Sequence, residues 1–201
     1  MTAHRSPARA AAALAAGVTA ALVLTACGGD DSAGGHHGKK SSSAPAAKGK
    51  HNAADVSFAK GMIPHHRQAV EMTELAASRA SSPKVKALSR DIEKAQAPEI
   101  EKMSGWLKSW KEEVPPAGME HSGHGMPGMM KPEDMAELKK ASGKEFDDAF
   151  LKMMTEHHEG AVTMANTEKS KGSYRPAKDM AGDIADSQTA EIKKMKGLLG
   201  S

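Results

Sequence analysis

The sequence predicts an all-α protein in which four long helices form an up-down-up-down bundle. The main evidence is an internal repeat: residues 55–107 align without a gap with residues 147–199, and 21 of the 53 aligned positions are identical. Each copy contains two stretches in which apolar residues recur every three or four positions, the spacing of a helix that buries one face. Alternation of apolar and polar residues, which would indicate strands, is absent. Two copies are too few for a solenoid and favour a domain made of two similar hairpins.

The first copy supplies the first two predicted helices. The apolar stripe of the first consists of Phe58, Met62, His65, Ala69, Met72 and Ala76. The corresponding stripe of the second helix consists of Val85, Leu88, Ile92, Glu99, Met103, Trp106 and Trp110, with Gln96 beside it. It is apolar except for Glu99. Between them Ser81-Ser82-Pro83 interrupts the pattern and predicts a tight turn.

The second copy repeats this arrangement. Its first stripe consists of Phe150, Met154, His157, Ala161 and Met164, and its second of Met180, Ile184, Glu191, Met195 and Leu199. Residues 172–176 break the pattern between them. Residues 114–131, rich in Gly, Pro, Met and His, predict a loop that behaves separately from the bundle. A short extra helix is predicted from Pro132 to about Gly143.

The amino-terminal residues predict export and lipid anchoring. Residues 1–26 contain two arginines, an apolar stretch too short to span a bilayer, and then small residues, which is typical of a signal peptide. Leu24-Thr25-Ala26-Cys27 resembles a bacterial lipobox, in which Cys27 is lipidated. A plain secretory signal with an incidental cysteine is the alternative. We therefore expect an extracytoplasmic protein that a lipid holds to the cell membrane.

Composition defines the folded domain and excludes several kinds of binding site. Residues 27–52 are rich in Gly, Ser, Ala and Lys and predict a flexible tether, which leaves residues 53–201 as the bundle domain. Cys27 is the single cysteine, so disulfides and thiolate metal sites are excluded. The formal charge of +3 falls to +1 once the two arginines of the signal peptide are removed. Without a basic field, and with 3% aromatic residues, nucleic-acid binding is not supported.

Hairpin geometry places the repeated His-His pairs level with glutamate and glutamine. If the first hairpin turns near residues 81–82, facing residues have numbers that sum to about 163, so position 98 lies opposite His65. In an up-down-up-down bundle the first helices of the two copies run parallel, so we expect the two His pairs to meet at one height. The sequence thus predicts one polar layer inside an apolar bundle. Its members are His65, His66, His157, His158, Glu99, Glu191, Gln96 and Gln188, with Met62 and Met154 one helical turn away.

A buried polar layer of this kind indicates either a metal site or a structural network. Imidazole suits copper, zinc and iron, and thioether sulfur shifts the preference towards Cu(I), so copper is the main hypothesis and zinc and iron stay open. Glu99 and Glu191 are candidate ligands or acceptors that orient the imidazoles. In the structural interpretation the layer only fixes helix register, and the protein is a structural or adaptor lipoprotein.

The paired motifs resemble a known bacterial family. Phe58-x3-Met62-Ile63-Pro64-His65-His66-x2-Ala69-Val70-x-Met72 and its second copy are similar to the motifs of domain of unknown function 305. The resemblance covers roughly residues 53–199. It implies a ferritin-like helical bundle, secreted or membrane-anchored, in a family of which some members are implicated in periplasmic copper binding and resistance.

An enzymatic function has weaker support. A carboxylate-bridged di-iron site needs Glu-x-x-His motifs, and no glutamate in this chain has a histidine three residues later. Arrangements of Ser, His and Asp or of Cys and His that would support nucleophilic catalysis are also absent. We expect a protein that is not an enzyme, with a di-iron oxidase or storage protein as the least favoured alternative.

Overall fold

The computed structural model describes residues 49–118 and 125–200 and places five α-helices there, with no strand among them. They are α1 (Ala53–Arg79), α2 (Pro83–Trp110), α3 (Pro132–Lys140), α4 (Gly143–Lys171) and α5 (Arg175–Leu199). The predicted all-α class, the two hairpins and the short intervening helix are confirmed. None of the helices in these ranges combines the length and apolar character needed to cross a bilayer. The predicted signal peptide, Cys27, most of the tether, and Met119, His121 and His124 lie outside the described residues.

Side-chain caps and prolines fix where the first helices begin. The Asn52 side chain accepts hydrogen bonds from the backbone N–H groups of Ala54 and Asp55, and Asp55 bonds back to Asn52, which makes a reciprocal capping box. Ser82 caps α2, and the next residue, Pro83, occupies a first-turn position where no intrahelical N–H is needed. These local signals agree with the breaks expected from the sequence.

The direction of α4 differs from the predicted up-down-up-down order. The Asn52 side chain, at the start of α1, donates to the carbonyl of Lys171 at the end of α4, at 2.9 Å. Arg79, at the end of α1, donates to the carbonyl of Ala141 just before α4, at 3.3 Å. Since opposite ends of the two helices meet, α1 and α4 are antiparallel, and the order is up-down-down-up. The expectation that the first helices of the two copies run parallel was wrong.

The connection between the hairpins explains this order. Residues 111–142 include α3 and carry the chain from the end of α2 back along the bundle to the start of α4. A connection of this length is a crossover, which helix bundles use when consecutive helices do not form a simple up-and-down series. The two hairpins can bury their apolar stripes against each other whether α4 runs parallel or antiparallel to α1. The helix pattern alone therefore could not predict the direction of α4.

The core is divided into two apolar clusters, one at each end of the bundle. The Trp cluster contains Phe58, Met62, Ile63, Met103, Trp106, Leu107, Ala161, Ala165, Tyr174, Ala177, Met180 and Ile184. The α3 cluster contains Met72, Ala76, Val85, Leu88, Ile92, Met135, Leu138, Phe146, Phe150, Met154 and Met195. The histidines belong to neither cluster, and they lie on α1 and α4 between the residues that do. The predicted polar layer between apolar regions is present.

Two equivalent aspartates fasten each hairpin to the turn of the other. Asp55 accepts from the backbone N–H groups of Ser173 and Tyr174, in the turn between α4 and α5. Its repeat mate Asp147 accepts from the backbone N–H groups at positions 81 and 82, in the turn between α1 and α2. The equivalent bonds relate the two halves by an approximate two-fold axis. Because α1 and α4 are antiparallel, this axis runs across the bundle and passes between their histidines.

Candidate metal centre

The two central histidines meet at this axis. His65 on α1 and His157 on α4 are fully buried, and the centroids of their rings are 3.7 Å apart with an angle of 37° between the ring planes. The sequence predicted that the two His pairs share one height, which is correct. They do so because residues next to a two-fold axis face their own repeat mates, and not because the helices run parallel.

The outer histidine of each pair bonds to a glutamate of its own hairpin. His66 Nε2 lies 2.7 Å from Glu99 Oε2, and His158 Nε2 lies 2.8 Å from Glu191 Oε2. Both imidazoles are fully buried, whereas the side chains of Glu99 and Glu191 are 23% and 20% exposed. The hairpin register predicted from the turns is therefore accurate to within two residues. The carboxylates connect the buried imidazoles to the surface.

The interhairpin loop closes the layer over the axis. The carbonyl oxygen of Pro127 lies 3.1 Å from His65 Nε2. Gln68 brackets Met130: its Nε2 donates to the Met130 carbonyl at 3.0 Å, and its Oε1 accepts from the Met130 N–H at 2.7 Å. Residues 125–131 are thus part of the layer. The expectation that the whole loop behaves separately from the bundle was wrong, because backbone carbonyls of the loop satisfy polar side chains of α1.

Two glycines permit this close contact between the loop and α4. A side chain at Gly160, inside α4, would overlap the backbone of Pro127. Gly128 has a φ of +75°, and a Cβ there would lie 2.7 Å from the carbonyl oxygen of Glu156. Position 128 therefore requires glycine for two reasons: its backbone is left-handed, and there is no space for a side chain. Gly160 is the repeat mate of Gln68, so equivalent positions on α4 and α1 both contact the loop. Gln68 does so by hydrogen bonds, and Gly160 by leaving space for the loop backbone.

The layer leaves many buried polar atoms without hydrogen-bond partners. Such atoms are rare in folded proteins and call for an explanation such as an ion or water. The atoms in the layer that lack partners of normal geometry are Nδ1 of His65, His66 and His158, both ring nitrogens of His157, both amide atoms of Gln96, and Oε1 of Gln188. These unpartnered nitrogen and oxygen atoms are of the kind that can bind an ion.

The observed bonds fix which nitrogen of three imidazoles carries the proton. A carbonyl oxygen and an ionised carboxylate can only accept, so Nε2 of His65, His66 and His158 must donate to Pro127, Glu99 and Glu191 respectively. In a neutral imidazole the other nitrogen then carries a lone pair. In all three residues that nitrogen is the unpartnered Nδ1. His65, which burial keeps neutral, therefore carries a buried lone pair on Nδ1, and Nδ1 of His66 and His158 carries one whenever those rings are neutral.

Burial keeps the two central imidazoles neutral. Desolvation, followed by the positive charge that His66 would carry, lowers the pKa of His65 to about 3, although the Pro127 carbonyl opposes the shift. Desolvation also holds the pKa of His157 well below its ordinary value, and His65 and His158 add to the effect while the backbone of His65 opposes it. A neutral imidazole is the form that binds metal, so these residues need lose no proton to do so.

The predicted metal-site residues do not all lie close together. Met62 and Met154 are fully buried, but they belong to opposite clusters, the Trp cluster and the α3 cluster. Within the described ranges, no three His, Cys, Asp or Glu side chains are grouped closely enough to hold one ion. The structure thus brings His65 and His157 together and pairs His66 and His158 with Glu99 and Glu191. It does not assemble all eight predicted residues around one point.

Comparison with known proteins fits this architecture. The family model for the domain of unknown function DUF305 matches residues 55–199. The chain belongs to this family. No curated protein matches the sequence.

Solved structures of DUF305 type resemble this chain closely. A Streptomyces coelicolor DUF305 protein that is predicted to be secreted is 36% identical, with a TM-score of 0.67 over 73% of this chain and 92% of that one. CopM in its Cu(II)-bound form is 37% identical, with a TM-score of 0.65 over 73% of this chain and 95% of CopM. CopM in its Cu(I)-bound form is 35% identical, with a TM-score of 0.60 over 72% and 94%.

The residues that hold the loop in this DUF305 chain were not singled out from the sequence. Gly160 was a usable signal, because a glycine inside a strong helical pattern costs about 1 kcal/mol relative to alanine and often marks close packing. Gln68 and Pro127 gave no comparable signal. Their roles depend on where the crossover passes, which the helical pattern does not determine.

Proposed function

We propose that this protein binds copper ions through its histidine layer and handles copper outside the cytoplasm, without catalysing a reaction. The observation that carries the proposal is the set of three buried Nδ1 atoms without a hydrogen-bond partner, on His65, His66 and His158, whose rings are oriented by hydrogen bonds at Nε2. The copper-bound forms of CopM support the choice of metal. Buried thioethers of Met62 and Met154 next to the layer suit Cu(I).

The glutamates have a supporting role in this proposal. Glu99 and Glu191 accept a hydrogen bond from one imidazole each, which orients the ring and makes its other nitrogen a better ligand. Because these carboxylates are partly exposed, they also mark the path from the surface to the layer.

A structural role for the layer is the second candidate. The absence of a preassembled group of three ligands among residues 49–118 and 125–200 favours it. In that case each His–Glu pair fixes helix register and the unpartnered atoms bond to water. The two functions differ in what metal does to stability.

Thermal melts with and without metal distinguish the two functions. If the layer binds copper, Cu(I) under reducing conditions should stabilise the protein by about 2.7 kcal/mol at a hundred-fold excess over the dissociation constant. Replacing His65, His66, His157 and His158 together by Gln should remove most of this gain. Zinc, tested in parallel, reports whether the site prefers a soft ion.

The matched control is His51→Gln, which removes a histidine that stacks on Trp110 outside the layer. This variant should keep the full copper response. Under the structural alternative the order reverses: the apo protein loses about 1–3 kcal/mol for each group left unpaired, and metal adds no specific stabilisation. Equal metal responses in the wild type and the quadruple variant would contradict the proposal.

We also propose that lipidation of Cys27 anchors the protein to the outer face of the cell membrane. The lipobox-like Leu24-Thr25-Ala26-Cys27 supports the proposal. The variant Cys27→Ser lacks the acceptor for lipid and should appear in the medium or stay unprocessed, as cell fractionation and immunoblotting would show. A variant that remains membrane-bound with a normally processed amino terminus would show that another feature provides the anchor.

A further inference from the structure

A pair of acidic side chains is buried where α1 meets the end of α4. Glu168 is 1% exposed, and no described hydrogen-bond donor reaches either of its carboxyl oxygens. The Glu168 carboxyl group lies against Gly172, next to Ser173, whose N–H donates to the fully buried Asp55 carboxyl group, so the two acids meet at this turn. Two carboxyl groups can share a hydrogen bond only if one of them carries a proton, because an ionised carboxylate only accepts. A hydrogen bond between the two side chains therefore requires one proton.

The hydrogen bonds around the pair place this proton on Glu168. Asp55 accepts from the backbone N–H groups of Asn52 at 2.6 Å, Ser173 at 3.1 Å and Tyr174 at 2.9 Å. These donors stabilise an ionised Asp55, whereas Glu168 has no donor to stabilise its charge. The protonated Glu168 then donates to Asp55 and adds to the attachment of α1 to the turn between α4 and α5.

We propose that Asp55 and Glu168 form a pH-sensitive latch, in which a proton on Glu168 holds the start of α1 against the α4–α5 turn and its loss in alkaline surroundings releases that end of the bundle. Two carboxylates in one buried site repel each other, so an ionised Glu168 has to turn away. It lines a surface cavity of about 480 Å³ together with Phe58, Gly61, Met126 and Met164. The cavity gives the charged side chain access to water.

The electrostatic surroundings agree with this geometry. Burial, then the hydrogen bond to Asp55 and its negative charge, raise the pKa of Glu168 from 4.5 to about 8. Lys178 on α5 opposes the shift. Lys171, on α4 itself, lines the same cavity, and the loop residues at the cavity, 125–127, have no titratable side chain.

The opposite end of the bundle provides an internal comparison. Asp147 makes the same bonds to the turn at Ser81 and Ser82, but the repeat mate of Glu168 is Ala76. At the Asp147 end a methyl group therefore occupies the position that Glu168 holds at the Asp55 end. In the described part of the chain, the Asp55 end has a second buried acid, Glu168, beside the aspartate that makes the attachment.

The latch lies where the chain from the membrane would enter the domain. Gly49 lies against the ring of Tyr174, and His51 stacks on Trp110 with ring centroids 4.5 Å apart. Release of Asp55 would loosen these contacts at the end that joins the amino-terminal part of the chain. An extracytoplasmic location would expose this end to the pH of the surroundings.

Tryptophan fluorescence and amide exchange from pH 6 to 9.5 test the latch. Both tryptophans of the protein pack on Tyr174, with ring centroids at 5.7 Å for Trp106 and 5.3 Å for Trp110, so their emission reports on this end. Wild type should show a change centred near pH 8. Exchange at the amides of Ser173 and Tyr174 should rise at least ten-fold beyond the intrinsic base-catalysed increase. The amides of Ser81 and Ser82 should follow the intrinsic increase alone.

Glu168→Gln is the decisive variant, because its amide donates to Asp55 at every pH and cannot ionise. It should keep the fluorescence of the closed state throughout the range. Asp55→Asn, which removes the neighbouring charge, should shift the transition to lower pH and covers the case in which Glu168→Gln fails to fold. The same transition in Glu168→Gln as in wild type, no transition in wild type, or equal changes at both turns would overturn the proposal.

Discussion

Acid is expected to destabilise the metal-free bundle through His65 and His157, by roughly 3 kcal/mol for each pH unit below the ordinary histidine pKa of 6.5. Burial lowers the folded-state pKa of both residues, to about 3 for His65. The unfolded chain therefore binds more protons than the folded one in this range. The stability that these neutral imidazoles contribute is fully present above 6.5 and is lost as the pH falls towards the folded-state values.

Urea unfolding of wild type and of His65→Gln/His157→Gln at pH 7, 6, 5 and 4 measures this effect. The difference in the free energy of unfolding between the two proteins should shrink or reverse as the pH falls. The comparison with the variant is necessary because Glu168, whose pKa is raised to about 8, acts with the opposite sign. Its contribution is full below pH 4.5 and is lost as the pH rises through 8.

His51→Gln serves as the control, because this histidine lies outside the layer and stacks on Trp110. It should unfold with the same pH dependence as wild type. Parallel pH profiles for wild type and the layer variant would mean that His65 and His157 are not neutral in the folded protein, which would also remove a support for metal binding.

Gly160→Ala is expected to destabilise the protein by about 1–3 kcal/mol, although alanine is normally the better helix residue. The added methyl group would overlap the Pro127 backbone, so the loop has to move away from α4. His65 Nε2 would then lose its carbonyl acceptor, and water would reach the layer. We expect a lower melting temperature and a weaker copper response in the same variant.

Gly105→Ala is the matched control, since Gly105 lies inside α2 and a Cβ there would have no neighbouring atom within 4 Å. This change should stabilise the protein by roughly 0.5–1 kcal/mol, the usual gain from replacing a helical glycine. If both variants gain stability, the loop does not pack on α4 in solution.

Several features of the site could be predicted from residue spacing alone. The His–Glu pairs follow from the turn positions, because an antiparallel helical hairpin has one register once its turn is known. The raised pKa of Glu168 could not be predicted, because burial in the tertiary structure raises it and Asp55, which lies 113 residues away in the sequence, adds to the effect. The contact of Pro127 with His65 depends in the same way on the path of the crossover.

By itself, the sequence determined the helices, the two-fold repeat and the composition of the buried polar layer. It could do so because helix spacing and burial are local properties that each copy encodes in the same way. The tertiary structure alone decided that α4 runs antiparallel to α1 and that Pro127 covers His65. It also decided that Glu168 meets Asp55 at one end while Ala76 occupies the equivalent position at the other. Two similar hairpins can stack in either direction with the same apolar stripes buried, so only long-range contacts select one direction and distinguish the two ends.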